Sequence, residues 1–438
     1  MRSILSCWYG RCCVCVTMYN KVTKSSLCAV ALTGVLSGVV SAGDFADPIE
    51  TTKPEVSLPK VSSGLDFVKF SLDARFRYEF RDQQGADASH AGTFRFRPGL
   101  TFFGDKPLSF FVEGEHTFAA IRDFQTGTPQ SANFSPFVAG NTAIADPETQ
   151  ELNRAFVKYS SNGFTAKVGR QRIILDNAAF VGNVGWRQNE QTFDAVSLNY
   201  VKDGLNLFYA YSNRVNRIFG TDGDGLVSAF EGDVHLLNGS IKQGDNKYGG
   251  YAYFIDFDRG AIVSNNTYGA YADLKTSYGS FHLEGAYQTE AAESPLDYDA
   301  YYGHVNFVKK AGSVTYTAGL EYLGDDFRTP LATVHAFNGF ADAFILERLG
   351  LTNNLDGISD FYVRAATKVN GVVLKGALHH FRDESFGDSY GWEADLVAVK
   401  ALNENTKALA KFAYFFGDND GPVSNDIKQF SVQLDYKF

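Results

Sequence analysis

From Val68 onward the even positions Val68, Phe70, Leu72, Ala74, Phe76, Tyr78 and Phe80 are apolar, while Lys69, Ser71, Asp73, Arg75, Arg77, Glu79 and Arg81 between them are polar. A period of two held over this length predicts a β-strand with two unlike faces. The next segment repeats it, with Phe94, Phe96, Leu100 and Phe102 on one face and Thr93, Arg95, Arg97 and Thr101 on the other. Similar segments recur to the C-terminus, for example Leu205-Leu207-Tyr209-Tyr211, Tyr251-Tyr253-Ile255-Phe257, Val314-Tyr316-Ala318-Leu320-Tyr322 and Tyr390-Trp392-Ala394-Leu396-Ala398. The pattern gives about eighteen strands.

The connections alternate in length. Short turns rich in turn-forming residues fall at 104–107, 160–163, 202–204, 244–246, 309–312, 369–371 and 403–406. Longer polar stretches lie at 82–91, 123–150, 176–190, 217–234, 325–358 and 417–426. Short connections on one side and long ones on the other predict an all-β transmembrane antiparallel barrel, with short periplasmic turns, long extracellular loops and both termini in the periplasm. Aromatic residues flank the short turns (Phe102, Phe103 and Phe110; Tyr159 and Phe164; Tyr278 and Phe281), where an interfacial girdle would sit. The last strand alternates Phe430, Val432, Leu434, Tyr436 and Phe438 with polar residues up to the final position. A terminal Phe after such a run resembles the signal read by the barrel-assembly machinery, so Tyr436 and Phe438 are the expected assembly signal.

The N-terminus adds the compartment. Lys21 and Lys24 precede an apolar run from Val30 to Val40, and the small residues Val40-Ser41-Ala42 follow, which is the layout of a secretory signal peptide cleaved after Ala42. Residues 1–17 read as an over-extended start before Met18, residues 43–65 as a polar periplasmic leader, and residues 66–438 as the barrel. All five cysteines precede the cleavage site, so disulfides, cysteine nucleophiles and Cys-metal sites are excluded from the mature chain. The removed segment carries four basic residues (Arg2, Arg11, Lys21, Lys24) and no acid, which takes the formal charge from −10 to −14 and argues against nucleic-acid binding.

A closed barrel of this size encloses an aqueous lumen lined by the polar half of each strand. On that basis Arg75, Arg77, Glu79, Arg81, Arg95 and Arg97 line the pore, with Arg154, Lys158, Arg170, Arg172, Arg364 and Lys375 as further members. Glu113 and Glu115 share their parity across the turn at 104–107. A register summing to 210 sets Arg95 against Glu115 and Arg97 against Glu113, whereas a sum of 212 sets Arg97 beside Glu115. Two readings follow: an ion-pair network stiffening the wall, or a charged constriction that selects anions. Net charge does not decide between them, because many acids lie in the long loops (Asp222, Asp224, Asp325, Asp326, Asp356, Asp360, Asp418, Asp420).

Catalysis is not expected. The adjacent His379 and His380 point to opposite sides of a strand, and no nucleophile motif stands near any histidine. The segments 221–225 and 418–421 resemble calcium loops but lack the full ligand spacing and final Glu, so neither a metal nor a cofactor is expected.

With these residues in view, the chain from about Phe67 to Phe438 resembles the alginate-export family of outer-membrane porins. The likeness is most specific in Arg75-Phe76-Arg77-Tyr78-Glu79 with Phe94-Arg95-Phe96-Arg97. It is equally so from Leu152-Asn153-Arg154-Ala155 through Gly169-Arg170-Gln171-Arg172 to Gly185-Trp186-Arg187-Gln188. The resemblance implies a barrel in the bacterial outer membrane, among lipid and lipopolysaccharide, whose electropositive pore passes an anionic uronate polysaccharide with help from periplasmic export partners. It also implies a pore-lining role for Arg154, Arg170, Arg172, Arg187 and the opening hairpin. A general diffusion porin and a loop-plugged structural or binding barrel are the alternatives.

Overall fold

The computed structural model describes residues 67–127, 135–221, 228–291, 294–418 and 421–438, and in it the expected all-β barrel is found. Its strands are β1 (Val68–Gln83), β2 (Ser89–Phe102), β3 (Leu108–Asp123), β4 (Thr149–Ser161), β5 (Phe164–Gln171), β6 (Thr192–Lys202), β7 (Leu205–Asn216), β8 (Ala229–Gln243) and β9 (Asn246–Arg259). They continue as β10 (Asn265–Lys275), β11 (Ser280–Glu290), β12 (Asp299–Ala311), β13 (Val314–Leu323), β14 (Ile358–Val369), β15 (Val372–Arg382), β16 (Ser389–Ala401), β17 (Thr406–Gly417) and β18 (Ile427–Lys437). Each pairs antiparallel with the next, and β18 returns to β1, closing an 18-stranded sheet. The signal peptide and leader lie outside the described residues, as do 222–225 and 419–420 of the calcium-like segments.

The seam is tight. Leu72 and Phe438 exchange both main-chain hydrogen bonds at 3.0 and 3.1 Å, and the Phe438 ring meets Phe70 at 5.5 Å. Deleting Phe438 removes both bonds and the ring contact, and is expected to lower the yield of heat-modifiable barrel in outer membranes. A normal yield would make the terminal aromatic incidental.

The burial pattern is inverted relative to a soluble protein. Phe70, Phe96, Leu198 and Leu396 are exposed on the outside, while Arg77, Glu79, Arg95 and Glu115 are almost wholly buried inside. An apolar band facing outward around a polar interior is what lipid requires of a closed barrel. Phe103, Phe110, Tyr159, Phe164 and Tyr278 are exposed beside the periplasmic turns, as a girdle would be. No helix among the described residues is long and apolar enough to cross a membrane.

Strand β9 departs from the expected orientation. Its Tyr251, Tyr253, Ile255 and Phe257 face inward and are buried. They do so because two external loops, 172–191 between β5 and β6 and 324–357 between β13 and β14, fold into the lumen and present Phe180, Phe327 and Leu331 to that wall. The two loops and the inward face of β9 thus share an apolar core, whereas the wall at β1 and β2 is polar.

The β2–β3 register follows the sum of 212, with Phe96 opposite His116 and Gly99 opposite Glu113. Arg97 accordingly meets Glu115, and Glu113 turns to Arg154 on the next strand. Arg95, which the register of 210 would have set against Glu115, pairs with Asp73 instead.

Candidate functional site

Alternation on β1 and β2 delivers a column of arginines to one wall, and the β5–β6 loop lies directly on it. Arg75 donates to the carbonyls of Gly185 and Trp186 at 3.0 and 2.9 Å, and to Asp435 at 2.8 Å. Arg77 sits 4.2 Å over the Trp186 ring, donates to the Trp186 carbonyl, and pairs with Asp146 at 2.8 Å. Arg97 reaches the Gln188 carbonyl at 3.0 Å and Glu190 at 3.6 Å in addition to Glu115. Guanidinium groups with several donors in a rigid fork suit this dense coverage of carbonyls and carboxylates.

Glu190 is the loop's main anchor. It accepts from Arg172 at 2.5 and 2.7 Å and from Asn153 and Asn183, each at 2.8 Å. Burial alone would push this carboxyl up, but Arg172 and Arg97 overcome that and hold it well below the usual carboxylate range. Arg187 bridges Glu79 at 3.1 Å and Asp342 of the β13–β14 loop at 2.9 Å.

The two loops are fastened to each other. Val181 and Leu331 form a parallel bridge, and Val184 donates its amide to Thr333 Oγ at 3.0 Å. Gly182 is required here, because a Cβ would lie 2.1 Å from the Thr333 hydroxyl. Trp186 stacks on His335 at 4.8 Å between centroids, with Lys411 Nζ 3.4 Å from the indole centroid. His335 Nδ1 bonds Asp342 at 2.6 Å, and Lys411 donates to Nε2 at 2.8 Å. Above this junction, α1 (Ile345–Arg348) places Arg348 against Glu321 at 3.0 Å.

The structure therefore brings together Arg75, Arg77, Glu79, Arg95, Arg97, Glu113, Glu115, Arg154, Arg172 and Arg187, but in a buried network. Arg77 and Arg95 are 0% and 1% exposed. The expectation that the opening-hairpin arginines project into lumen water is corrected by this loop packing. Arg170 is a second correction: it shares strand parity with the outward Val168 and pairs with Asp194 on the outer surface near the extracellular rim, at 2.7 and 3.0 Å.

Below the plug the wall is basic. Strand parity turns Lys69, Lys158, Lys167, Lys242, Lys247 and Lys275 inward, within the four residues nearest the periplasmic end of their strands. The same holds for Lys310, Lys368, Lys375, Lys407 and Lys437 on the remaining side of the mouth. Lys158 lies directly opposite Lys167, like charges that repel at this spacing, and Lys242 lies directly opposite Lys247, whose Nζ is 3.5 Å from Asp176 of the β5–β6 loop. The nearby inward acids are engaged: Asp73 with Arg95 and Lys437, Asp435 with Arg75, and Asp273 with His282. Sequence reasoning named Lys158 and Lys375 but missed the ring, whose signal was inward parity beside most of the short turns.

Residues 66–211 match the family model described as Alginate export. No curated protein matches the chain. Among solved structures, Pseudomonas aeruginosa OpdO is 14% identical with a TM-score of 0.64, over 85% of this chain and 98% of that one. Acinetobacter baumannii OccAB2 gives the same four values. Pseudomonas aeruginosa OpdK, solved with vanillate, is 11% identical at a TM-score of 0.63, over 84% of this chain and 98% of that one. At these identities the likeness is one of fold. Together with the outward apolar band, the shared fold is that of a β-barrel of the bacterial outer membrane.

Proposed function

We propose that this barrel is an anion-selective channel that takes carboxylate-bearing solutes from the periplasm, a uronate polysaccharide being the class it fits best. The observation that carries this reading is the lysine ring at the periplasmic mouth. Facing lysine pairs are unfavourable by themselves, and an anion bound between them relieves the repulsion. A polymer with a carboxylate on every sugar satisfies many such positions in succession, each weakly enough to be released.

Three further points support it. The stretch that matches the alginate-export description runs from β1 into β7 and includes Lys158 and Lys167. One fold neighbour is described with vanillate, itself a carboxylate. The two loops folded into the lumen set it apart from an open-bore general diffusion porin, and passage of a polymer would require them to move aside. Periplasmic export partners would deliver the chain to the lysine-rich mouth.

Occupancy by a charged oligomer tests the reading. Short polymannuronate fragments added on the periplasmic side are expected to interrupt the single-channel current, whereas a neutral oligosaccharide of equal length leaves it unchanged. Replacing Lys158 and Lys167 with glutamate is expected to weaken the block by at least about tenfold, from loss of two attractive sites and gain of two repulsive ones. Equal behaviour of neutral and charged oligomers would sink the proposal.

A further inference from the structure

Strands β11 and β12 pair with Glu284 directly opposite His304, and His282 stands two residues from Glu284 on the same face. Period-two spacing along one strand plus direct opposition across the next brings three side chains to one point of the lumen wall. One ligand atom from each of the three lies within 4.8 Å of the others, and His282 Nε2 is already 3.2 Å from Glu284 Oε2. All three are enclosed: the His282 and Glu284 side chains are 7% and 3% exposed, and His304 is 3% exposed.

Their remaining polar atoms are held from behind. Asp273 on β10 bonds His282 Nδ1 at 2.7 Å, which orients the ring and leaves Nε2 facing Glu284. Tyr251 on β9 donates to Glu284 Oε1 at 2.8 Å, leaving Oε2. Tyr362 on β14 bonds His304 Nε2 at 2.9 Å, and His304 Nδ1 is buried without a hydrogen-bond partner among the described residues. A buried imidazole nitrogen without a partner is unfavourable, and a cation accepting its lone pair removes that cost. A carboxylate–histidine arrangement like Asp273–His282 is the outer shell that metal-ligating histidines ordinarily carry.

We propose that His282, Glu284 and His304 bind one divalent transition-metal ion of the zinc class in the lumen wall. Two imidazole nitrogens and one carboxylate oxygen are the donor set such ions favour, with water completing the coordination. Ligand distances of about 2.0–2.2 Å require the three side chains to close in from atoms that lie within 4.8 Å of one another. Asp273, whose side chain is 19% exposed, links the site to lumen water. The ion would tie β11 to β12 and, through Tyr251 and Tyr362, to β9 and β14. This inference is independent of what the channel carries.

Cobalt is the optical probe. Untagged full-length barrel, stripped with a chelator and titrated with Co2+, is expected to develop a visible absorption band that saturates at one equivalent and is displaced by Zn2+. His304→Ala is expected to abolish the band, and Asp273→Asn to weaken binding by about ten- to a hundredfold, as outer-shell changes do. Heat-modifiable migration reports whether each variant is folded. Should His304→Ala fail to assemble, the near-isosteric Glu284→Gln carries the same expectation of lost binding. A wild-type barrel with no saturable band, or a folded variant that binds cobalt like the wild type, overturns the proposal.

Discussion

Replacing Glu190 with glutamine is expected to release the β5–β6 loop and raise the single-channel conductance. The carboxylate is fully enclosed and is shared by Arg172, Arg97 and, at 4.0 Å, Arg154. Breaking a buried ion pair from one side costs on the order of 3–5 kcal/mol, because the partner charges stay behind without compensation. Here three guanidinium groups lose one shared anion. That cost falls on a loop, whereas the strands keep their ladders, so the barrel is expected to fold while the plug loosens. Acid alone is a poor substitute for the mutation. The folded carboxyl sits well below its ordinary value, so its contribution is complete above the usual carboxylate range and is lost only as pH falls through that depressed value. Conductance and protease sensitivity of residues 172–191 are the readouts. Wild-type values for both would show that Glu190 does not hold the loop.

The second large effect is a pH response near neutrality, and it resides in His335. Burial is the main cause that lowers this imidazole; Asp342 opposes it, Lys411 adds to it, and the result is about 4. The ring is then neutral at pH 7, donating to Asp342 and accepting from Lys411 while stacked on Trp186. A folded value below the ordinary 6.5 means that the locked state takes up the proton less readily than the released state. Its stabilising contribution is therefore complete above about 6.5 and is lost as pH falls from there toward about 4. At pH 5 the loss is on the order of 2 kcal/mol, enough to shift a loop equilibrium more than tenfold. Protonation also sets a second cation 2.8 Å from Lys411 Nζ. Conductance is expected to rise between pH 7 and pH 5 in the wild type and to stay flat in His335→Asn. A flat wild-type profile, or the same rise in the variant, would remove His335 from the lock.

The barrel was legible because lipid and water enforce strict alternation on β1, β2 and β18, and because periplasmic turns must be short. The inward parity of Arg75, Arg77, Arg95 and Arg97 was legible for the same reason. Their solvation was not, since it depends on Trp186, which contacts Arg75 from 111 residues away in the sequence. The same long-range packing hid the orientation of β9: period two separates two faces, but when a plug fills the lumen both can be apolar. Arg170 was misplaced because β5 is only eight residues long, too short for its pattern to show which face it presents. The cluster at His282, Glu284 and His304 was invisible because it exists only once the β11–β12 register is known.

The central claim is that lysines at the periplasmic mouth, and not the net acidity of the chain, set the sign of the pore. The reversal potential of the purified wild-type barrel in a planar bilayer under a KCl gradient tests it most directly. Dilute salt is the better condition, since the screening length grows beyond its value of about 10 Å at 0.1 M. The lysine ring predicts a reversal potential on the chloride side, moving toward potassium when Lys158 and Lys167 become glutamate. A wild-type reversal potential on the potassium side would contradict it.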